Sequence, residues 1–112
     1  MIQDIGVDIV DIKRLQNIID TNSSFLTRFY TKSELDIAKQ LENPIPFYAT
    51  RFAAKEAIFK ASGTKHEFNE IEILKSSDGK PTPHIINHND IKIKLSLSYD
   101  GDYAIAFCII LS

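Results

Sequence analysis

Hydrophobic and polar residues alternate near the end of the chain in the pattern of a β-hairpin. Lys and Ser residues in 91–98 alternate with four apolar ones, Ile91, Ile93, Leu95 and Leu97. This period of two predicts a strand with one buried face. Asp100-Gly101 follows and predicts a two-residue type I′ turn. The return strand, 103–111, is apolar at nearly every position, so we expect both of its faces to be buried.

The first half of the chain changes to a helical period after one short strand. Residues 2–10 are rich in β-branched side chains and predict that strand. Asp11 is placed to cap a helix with one apolar face, formed by Ile12, Leu15, Ile18 and Ile19. Thr31 and Glu34 have the spacing of a capping box for another helix, which we expect to end at Asn43-Pro44.

A long helix is predicted from about Pro46 to Ser62, with Gly63 as its C-cap. Along it, one face carries residues at i, i+4 and i+8, namely Phe52, Glu56 and Lys60. Small or apolar residues cover much of the remaining circumference, so the helix should be largely buried. We expect Arg51 and Lys55, which lie on a separate face, to be solvated.

After the long helix the pattern becomes mainly β. Ile71 to Leu74 predict a strand, and the turn residues 77–81 predict that an edge strand or loop follows. A strand, several helices and then an antiparallel sheet indicate one α+β domain over residues 1–112, with a small antiparallel sheet against a long helix and shorter helices. The edges of so small a sheet and its apolar last strand predict burial in an oligomer.

Composition excludes several classes of function. The chain of 112 residues is 44% hydrophobic and has a formal net charge of −2, so no global basic field attracts nucleic acid or an anionic membrane. Its longest apolar run is far shorter than the roughly 20 residues of a membrane span, and its start lacks a signal-peptide pattern. One cysteine, Cys108, excludes an internal disulfide. We therefore expect a cytoplasmic protein without a membrane span or nucleic-acid partner.

Charged residues in apolar surroundings mark a candidate site. Asp8 lies in the apolar first strand, and Glu56 and Lys60 are one turn apart on the long helix. A hard cation such as Mg²⁺ takes one or two carboxylates and fills its other positions with water and phosphate oxygens. If the strand and the helix pack together, these residues predict a divalent-metal and phosphate site. Two alternatives stay open: Glu56 and Lys60 form an ordinary surface pair, and Asp8 caps the following helix.

Several blocks of sequence resemble one known family in order along essentially the whole chain. They are Ile5–Val10, Phe29–Thr31 with Glu34, Arg51–Ala61 followed by Gly63-Thr64, Ile71–Ile73, Asp78–Pro81 and Leu95–Ser98. These blocks are similar to those of holo-acyl-carrier-protein synthases, the small 4′-phosphopantetheinyl transferases of bacterial fatty-acid synthesis. The resemblance implies an enzyme that moves the phosphopantetheine arm of coenzyme A onto a serine of apo acyl carrier protein, releasing adenosine 3′,5′-bisphosphate.

The resemblance also implies roles for the three residues of the candidate site. Asp8 and Glu56 match the family's Mg²⁺ ligands, and Lys60 matches its phosphate-contacting lysine. The metal and Lys60 would neutralise charge on the diphosphate as the bond to the nucleotide breaks. A carboxylate would take the proton of the serine, either directly or through a metal-bound water, and Glu56 is the preferred residue for this step.

Further residues are expected to bind the two substrates. The phosphates of coenzyme A are expected to contact Lys60, Arg51, Lys80 and Gly79. The acidic carrier is expected to dock on three basic residues, Arg14, Lys13 and Arg28. Since the family members are trimers with active sites between subunits, a homotrimer is expected as well.

Two positions depart from the family pattern. Tyr99 stands where the family usually has a histidine, and Lys65 stands where a glycine often follows the Gly-Thr pair. Neither departure touches Asp8, Glu56 or Lys60. Two other functions stay open, namely a trimeric interaction module of the same fold that has lost turnover, and a transferase that acts on a different carrier domain.

Overall fold

The computed structural model describes residues 1–63 and 66–112 of an α+β protein, the class predicted from the sequence. Its elements in chain order are β1 (Ile2–Asp11), α1 (Ile12–Thr21), α2 (Phe25–Phe29), α3 (Lys32–Lys39), α4 (Ile45–Ser62), a 3₁₀ helix (Phe68–Glu70), β2 (Ile71–Lys75), β3 (Pro81–Ile85), β4 (Lys92–Asp100) and β5 (Tyr103–Leu111). Helix α3 ends earlier than predicted, and the long helix α4 has the predicted extent. None of the helices described is both long and apolar enough to cross a bilayer.

Two antiparallel sheets organise the strands. The larger sheet has the order β1-β5-β4, so the last strand is its centre, and β2 and β3 form a separate two-stranded sheet. In the larger sheet Asp8 lies opposite Ala106, and Leu95 lies opposite Cys108. Helix α4 packs across one face of this sheet, against β1 and β5, and the hydrophobic core lies between them.

Local capping signals set the helix boundaries as predicted. The Asp11 carboxylate accepts a hydrogen bond from the Arg14 N–H at 3.2 Å and so caps α1. At the start of α3 both halves of the capping box between Thr31 and Glu34 are formed. Helix α4 ends at Gly63, whose φ of 75° lies in the left-handed region that glycine adopts without steric cost.

The hairpin turn between β4 and β5 lies one residue later than predicted. Asp100 pairs with Tyr103, so the two-residue loop consists of Gly101 and Asp102. Gly101 has a φ of 59°, whereas Asp102 is not among the residues with positive φ. A positive φ at the first loop position alone is typical of a type II′ turn rather than type I′.

Strand β1 and helix α4 touch through their backbones at Gly6. A Cβ atom at this position would lie 2.1 Å from the carbonyl oxygen of Ala57 and 3.1 Å from Sγ of Cys108. The helix surface that meets the sheet is formed by fully buried small residues, among them Ala53 and Ala57. The missing side chain at Gly6 and the small side chains on the helix therefore let the strand lie directly on the helix.

One face of the larger sheet stays exposed in the single chain. On β5 the residues that face α4 are buried, namely Ala104, Ala106, Cys108 and Ile110. Large apolar residues of β1 and β5 on the opposite face are 40–60% exposed, namely Ile5, Val7, Ile9, Ile105 and Phe107. We call these five residues the outer apolar face. The expected burial of both faces of β5 is thus not achieved within one chain, because α4 covers only one side.

The contact at Gly6 predicts a large effect of one added methyl group. We expect Gly6→Ala to lower the free energy of unfolding by about 3 kcal/mol, at the upper end of overpacking costs, because the new Cβ meets backbone atoms. Urea unfolding followed by circular dichroism measures the change. Gln3→Ala on the exposed part of the same strand is the control, with an effect within about 0.5 kcal/mol. Equal midpoints for both variants would refute the close packing.

Candidate active site

Asp8 lies where β1 faces α4, at the centre of the candidate site. Because side chains alternate along a strand, Asp8 shares the inward face with Gly6 and Val10, which are buried. Its Oδ1 atom lies 2.7 Å from Nζ of Lys60, and the same ammonium group donates to the carbonyl oxygen of Val7 at 3.3 Å. The predicted meeting of the first strand with the long helix therefore occurs within one chain.

Glu56 lies one helical turn before Lys60 and is half-buried. Burial raises the pKa of its carboxyl group, the negative charge of Asp8 raises it further, and the positive charge of Lys60 opposes the rise. The electrostatic effect of Asp8 on Glu56 indicates that the two carboxylates face a common region. Two like charges in such a region are stabilised by a cation between them.

The structure supports neither of the two alternatives for these residues. Lys60 forms its ion pair with Asp8 on the neighbouring strand, and not with Glu56 on its own helix. Helix α1 is capped by Asp11, so Asp8 is not used as a cap. One part of the sequence interpretation is wrong, however, because the Lys60 side chain is 55% exposed and does not lie in a buried apolar setting.

A pocket of about 550 Å³ opens beside these three residues, within the usual size of small-molecule sites. Its charged side is formed by Asp8, Glu56, Lys60 and Arg14. Its apolar side contains residues from α1, α2 and α4, namely Leu15, Ile18, Phe25 and Phe52. Arg14, which we expected to dock a carrier, thus lies at the edge of the same pocket.

The predictions that Arg51 and Lys55 are solvated are both wrong. Arg51 is buried beside the Phe47 ring, with its guanidinium carbon 4.3 Å from the ring centroid. Its Nη1 donates to Oγ1 of Thr50 at 3.2 Å, and Nε is the only buried side-chain nitrogen or oxygen without a hydrogen-bond partner among the described residues. Burial lowers the pKa of this guanidinium, while the charge of Glu34 opposes the shift.

Arg51 lines a second pocket, of about 460 Å³, near the start of α4. Other residues on its wall are Asn43, Lys75, Gly79, Ser98 and Tyr99. A buried guanidinium with an unused N–H group is a suitable partner for an anion. This pocket therefore contains two of the predicted phosphate-binding residues, Arg51 and Gly79, and one of the two residues that depart from the family pattern, Tyr99.

The turn that carries Gly79 and Lys80 uses its backbone donors internally. The N–H of Gly79 donates to the carbonyl oxygen of Ser76 at 3.0 Å, and the N–H of Lys80 donates to Oδ1 of Asp78 at 3.2 Å. The backbone donors that we expected to bind phosphate are therefore engaged within the turn. Of the groups in this turn that we expected to bind phosphate, the Lys80 ammonium group is left. Lys80 lines a neighbouring cleft together with Lys94.

A single chain does not bring the predicted phosphate-binding residues together. Lys60 lies by the Asp8 pocket, whereas Arg51 lies by the second pocket, nine positions earlier on α4. At 1.5 Å of rise per residue this is about 13 Å along the helix axis. The charged groups are thus divided between these two pockets and the cleft that contains Lys80.

The other predicted residues lie apart from the Asp8 pocket or outside the described part. Lys13 is exposed and pairs with Asp102 at 3.5 Å. Arg28 lies on α2 with its guanidinium carbon 5.4 Å from the centroid of the Phe29 ring. Lys65 lies outside the residues that the structure describes. Of the three predicted docking residues, only Arg14 lines the pocket that contains Asp8 and Glu56.

A fully buried ion pair beside the site was missed by the sequence analysis. Nζ of Lys55 lies 2.6 Å from Oε1 of Glu34, and both side chains have no exposed surface. Burial lowers the pKa of Lys55, and Glu34 opposes this shift through its charge and its hydrogen bond. The signal was available, because a helix that is apolar around most of its circumference must bury its charged residues as well.

The donor set of the Asp8 pocket suits a hard divalent cation bound together with a ligand. Among residues 1–63 and 66–112 no three His, Cys, Asp or Glu side chains converge on one point. Asp8 and Glu56 are nevertheless two carboxylates at one pocket, and after burial the charge of Asp8 contributes to the raised pKa of Glu56. Mg²⁺ is typically held by one or two carboxylates and substrate phosphate oxygens, so these residues fit it.

Comparison with known proteins identifies relatives over the whole chain. Residues 4–108 match the family model of the 4′-phosphopantetheinyl transferase superfamily. The chain is 41% identical to the holo-(acyl-carrier-protein) synthase of Blochmanniella pennsylvanica, over 98% of both chains.

Solved structures agree with this relationship. A holo-(acyl-carrier-protein) synthase from Bacillus anthracis in complex with CoA (3′,5′-ADP) superposes with a TM-score of 0.87 at 34% identity, covering 98% of this chain and 96% of that one. The enzyme from Neisseria meningitidis superposes with a TM-score of 0.88 at 33% identity and covers all of both chains. By family model, sequence and fold, the chain belongs to the holo-(acyl-carrier-protein) synthases of the 4′-phosphopantetheinyl transferase superfamily.

Proposed function

We propose that the protein transfers the 4′-phosphopantetheine group of coenzyme A to a serine of apo acyl carrier protein. The observation that carries this proposal is the convergence of Asp8, Glu56 and Lys60 at one pocket. Family membership supports the reaction type, and the coenzyme A complex of the Bacillus anthracis relative supports the donor. Fatty-acid biosynthesis in the cytoplasm is the proposed setting.

In the proposed reaction the serine oxygen attacks the phosphorus that carries the pantetheine arm. A new oxygen–phosphorus bond forms, the bond to the 5′-phosphate of the nucleotide breaks, and adenosine 3′,5′-bisphosphate leaves. The serine proton must go to a base. Glu56 is our preferred base, because it is a half-buried carboxylate at the pocket that also contains Asp8 and Lys60.

Lys60 is placed to stabilise the negative charge that develops on the leaving phosphate. Its ammonium group is held by Asp8 and by the carbonyl oxygen of Val7, so its position is defined before substrate arrives. More than half of the side chain is exposed, which leaves it accessible to a phosphate oxygen. Preorganised positive charge of this kind is a major source of catalysis in group transfer.

We propose Mg²⁺ as the metal, held by Asp8 and Glu56. When bound, the ion would supply Lewis-acid polarisation of the phosphate oxygens and neutralise charge on the diphosphate. Both carboxylates must be ionised to hold it. Since the pKa of Glu56 is raised, metal binding is expected to weaken on acidification at a higher pH than for an ordinary glutamate.

We further propose that the protein acts as a homotrimer with its sites between subunits. The outer apolar face supports association, because exposed apolar patches of this kind mark protein interfaces. The division of the phosphate-binding residues between two pockets supports a shared site, in which the Arg51 pocket of one subunit would complete the Asp8 pocket of the next. Coenzyme A would then contact Lys60 of one subunit and Arg51, with Lys80, of another.

Neutralising either carboxylate is expected to abolish transfer without unfolding the protein. Asp8→Asn and Glu56→Gln each keep the shape of the side chain but remove a charge that the metal requires, so we expect a loss of at least about 10³-fold in rate, in the range of several kcal/mol of electrostatic stabilisation. Intact-mass spectrometry of the carrier, with coenzyme A and Mg²⁺, measures the product. Asp20→Asn, an exposed acid on α1, is the control. Wild-type transfer that persists in EDTA would exclude the metal role.

Reversing the charge of Arg14 should impair use of the carrier specifically. We expect Arg14→Glu to raise the KM for apo acyl carrier protein about tenfold, equivalent to about 1.4 kcal/mol, because it replaces attraction for an acidic surface by repulsion. The KM for coenzyme A should change much less. Lys39→Glu, at an exposed position on α3, controls for the change in net charge. If both substrates are affected equally, Arg14 does not dock the carrier.

A charge on the outer apolar face should dissociate the proposed trimer. We expect Val7→Glu to be monomeric and inactive, whereas the wild type should have three times the 12.7 kDa mass of the chain in light scattering after gel filtration. Gln40→Glu adds the same charge at the exposed C-cap of α3 and should remain a trimer. A wild-type protein that is monomeric yet active would overturn the shared-site proposal.

A further inference from the structure

The ammonium group of Lys55 and the carboxylate of Glu34 are both fully engaged by hydrogen bonds. The Lys55 ammonium donates to Oε1 of Glu34 at 2.6 Å, to the carbonyl oxygen of Phe29 at 2.8 Å and to that of Phe68 at 3.2 Å. These acceptors use its whole donor capacity. They belong to α2, α3 and the 3₁₀ helix, so one lysine joins α4 to three other segments.

Glu34 extends the same network to the smaller sheet. Its Oε1 accepts a hydrogen bond from the N–H of Thr31 at 2.9 Å, and its Oε2 accepts one from the N–H of Ile73 on β2 at 2.8 Å. Both ends of the carboxylate are thus fixed by backbone groups. A well-packed apolar pair can often replace a buried ion pair without loss of stability, so the directional character of these contacts calls for a different explanation.

Helix α4 is held against β1 by the Gly6–Ala57 contact, but its apolar packing against the other segments supplies no directional contact on the remaining sides. Buried or half-buried apolar residues surround most of its circumference, and the hydrophobic effect has no directional preference. Its contact with β1 is made by small groups, at Gly6 and Ala57. The three acceptors around the Lys55 ammonium can be satisfied together in only one rotational setting of the helix.

The rotation of α4 determines where the next residue, Glu56, points. We propose that Lys55 and Glu34 are positioning residues, whose ion pair sets the rotation of α4 and so holds the Glu56 carboxylate opposite Asp8. This inference rests on the proposed transfer reaction. A rotation of about 20° would move a side-chain tip, at 5–6 Å from the helix axis, by about 2 Å, and a misplacement of about 1 Å in an active site can cost about 100-fold in rate.

The test removes both charges together, because a single substitution would leave its partner charged and buried. In Lys55→Met/Glu34→Gln the volumes are nearly kept and no buried charge remains. The new amide NH2 faces one of the two backbone N–H groups from which Glu34 accepts hydrogen bonds, so we expect a less stable but cooperatively folded protein. We expect its kcat to fall about 100-fold and its affinity for Mn²⁺, measured by electron paramagnetic resonance on the folded protein, to fall about tenfold. Metal affinity is informative because general loss of stability does not alter it well below the melting temperature.

Two controls separate positioning from stability and from charge. Lys32→Met/Asp36→Asn removes an exposed lysine–carboxylate pair on α3, and Ile85→Val removes a methyl group from the buried part of β3. Both variants should keep kcat and Mn²⁺ affinity within twofold of wild type. If Ile85→Val, despite being folded, loses metal affinity as the double variant does, the effect is not specific to the ion pair and the inference fails.

The outcomes distinguish this inference from the proposed function. An active, Mn²⁺-binding wild type with an equally active double variant overturns only the positioning role. A wild type that neither binds Mn²⁺ nor modifies the carrier overturns the proposed function and the positioning role together. Should the double variant fail to fold, Glu34→Asp decides, because it keeps both charges but shortens the carboxylate arm. It should then lower kcat and Mn²⁺ affinity in a folded protein, and unchanged values would overturn the inference.

Discussion

The contact between the backbones of β1 and α4 at Gly6 is the constraint on which the rest of the structure depends. Any side chain at this position would meet the Ala57 carbonyl group, so the strand and helix could not approach as they do. Their close approach allows the short Asp8 side chain to reach Lys60 on the helix. Without it, the inward-facing carboxylate of β1 and the charged residues of α4 would lie too far apart to share a ligand.

The charges of α4 serve two different purposes according to their position around the helix. Lys55 is fully buried and satisfied by Glu34 and two backbone carbonyl groups, so it is unavailable to substrate and stabilises a particular arrangement of segments. Glu56 and Lys60 lie at the pocket and keep capacity to bind further ions. Arg51 is intermediate, since it is buried but has an unused N–H group beside the second pocket.

The two faces of the larger sheet also differ in their role. Its inner face is covered by α4 and forms the core, whereas the residues of its outer apolar face remain 40–60% exposed. The polar residues of β4 on that outer side, Lys92, Lys94, Ser96 and Ser98, are exposed, so the apolar region is confined to β1 and β5. In the proposed trimer this face would be buried between subunits.

The sequence by itself determined the features that depend on neighbouring residues. The caps at Asp11, Thr31 and Gly63, the alternation along β4 and the extent of α4 follow from local hydrogen bonding and side-chain period. The grouping of Asp8 with Glu56 and Lys60 was predicted as well, from charges in apolar segments and from the family resemblance. The predicted position of the turn after β4 was wrong by only one residue, because Gly101 is compatible with either turn type.

Only the tertiary structure decided which charges are buried and which are free. The partners of Lys55 lie 21 and 26 positions away at Glu34 and Phe29, and β1 pairs with the strand at the opposite end of the chain. Periodicity places a residue on a face of its helix or strand but does not say what covers that face. For this reason Lys55 was predicted to be solvated and Lys60 to be buried. In the folded chain Lys55 is buried and Lys60 is exposed.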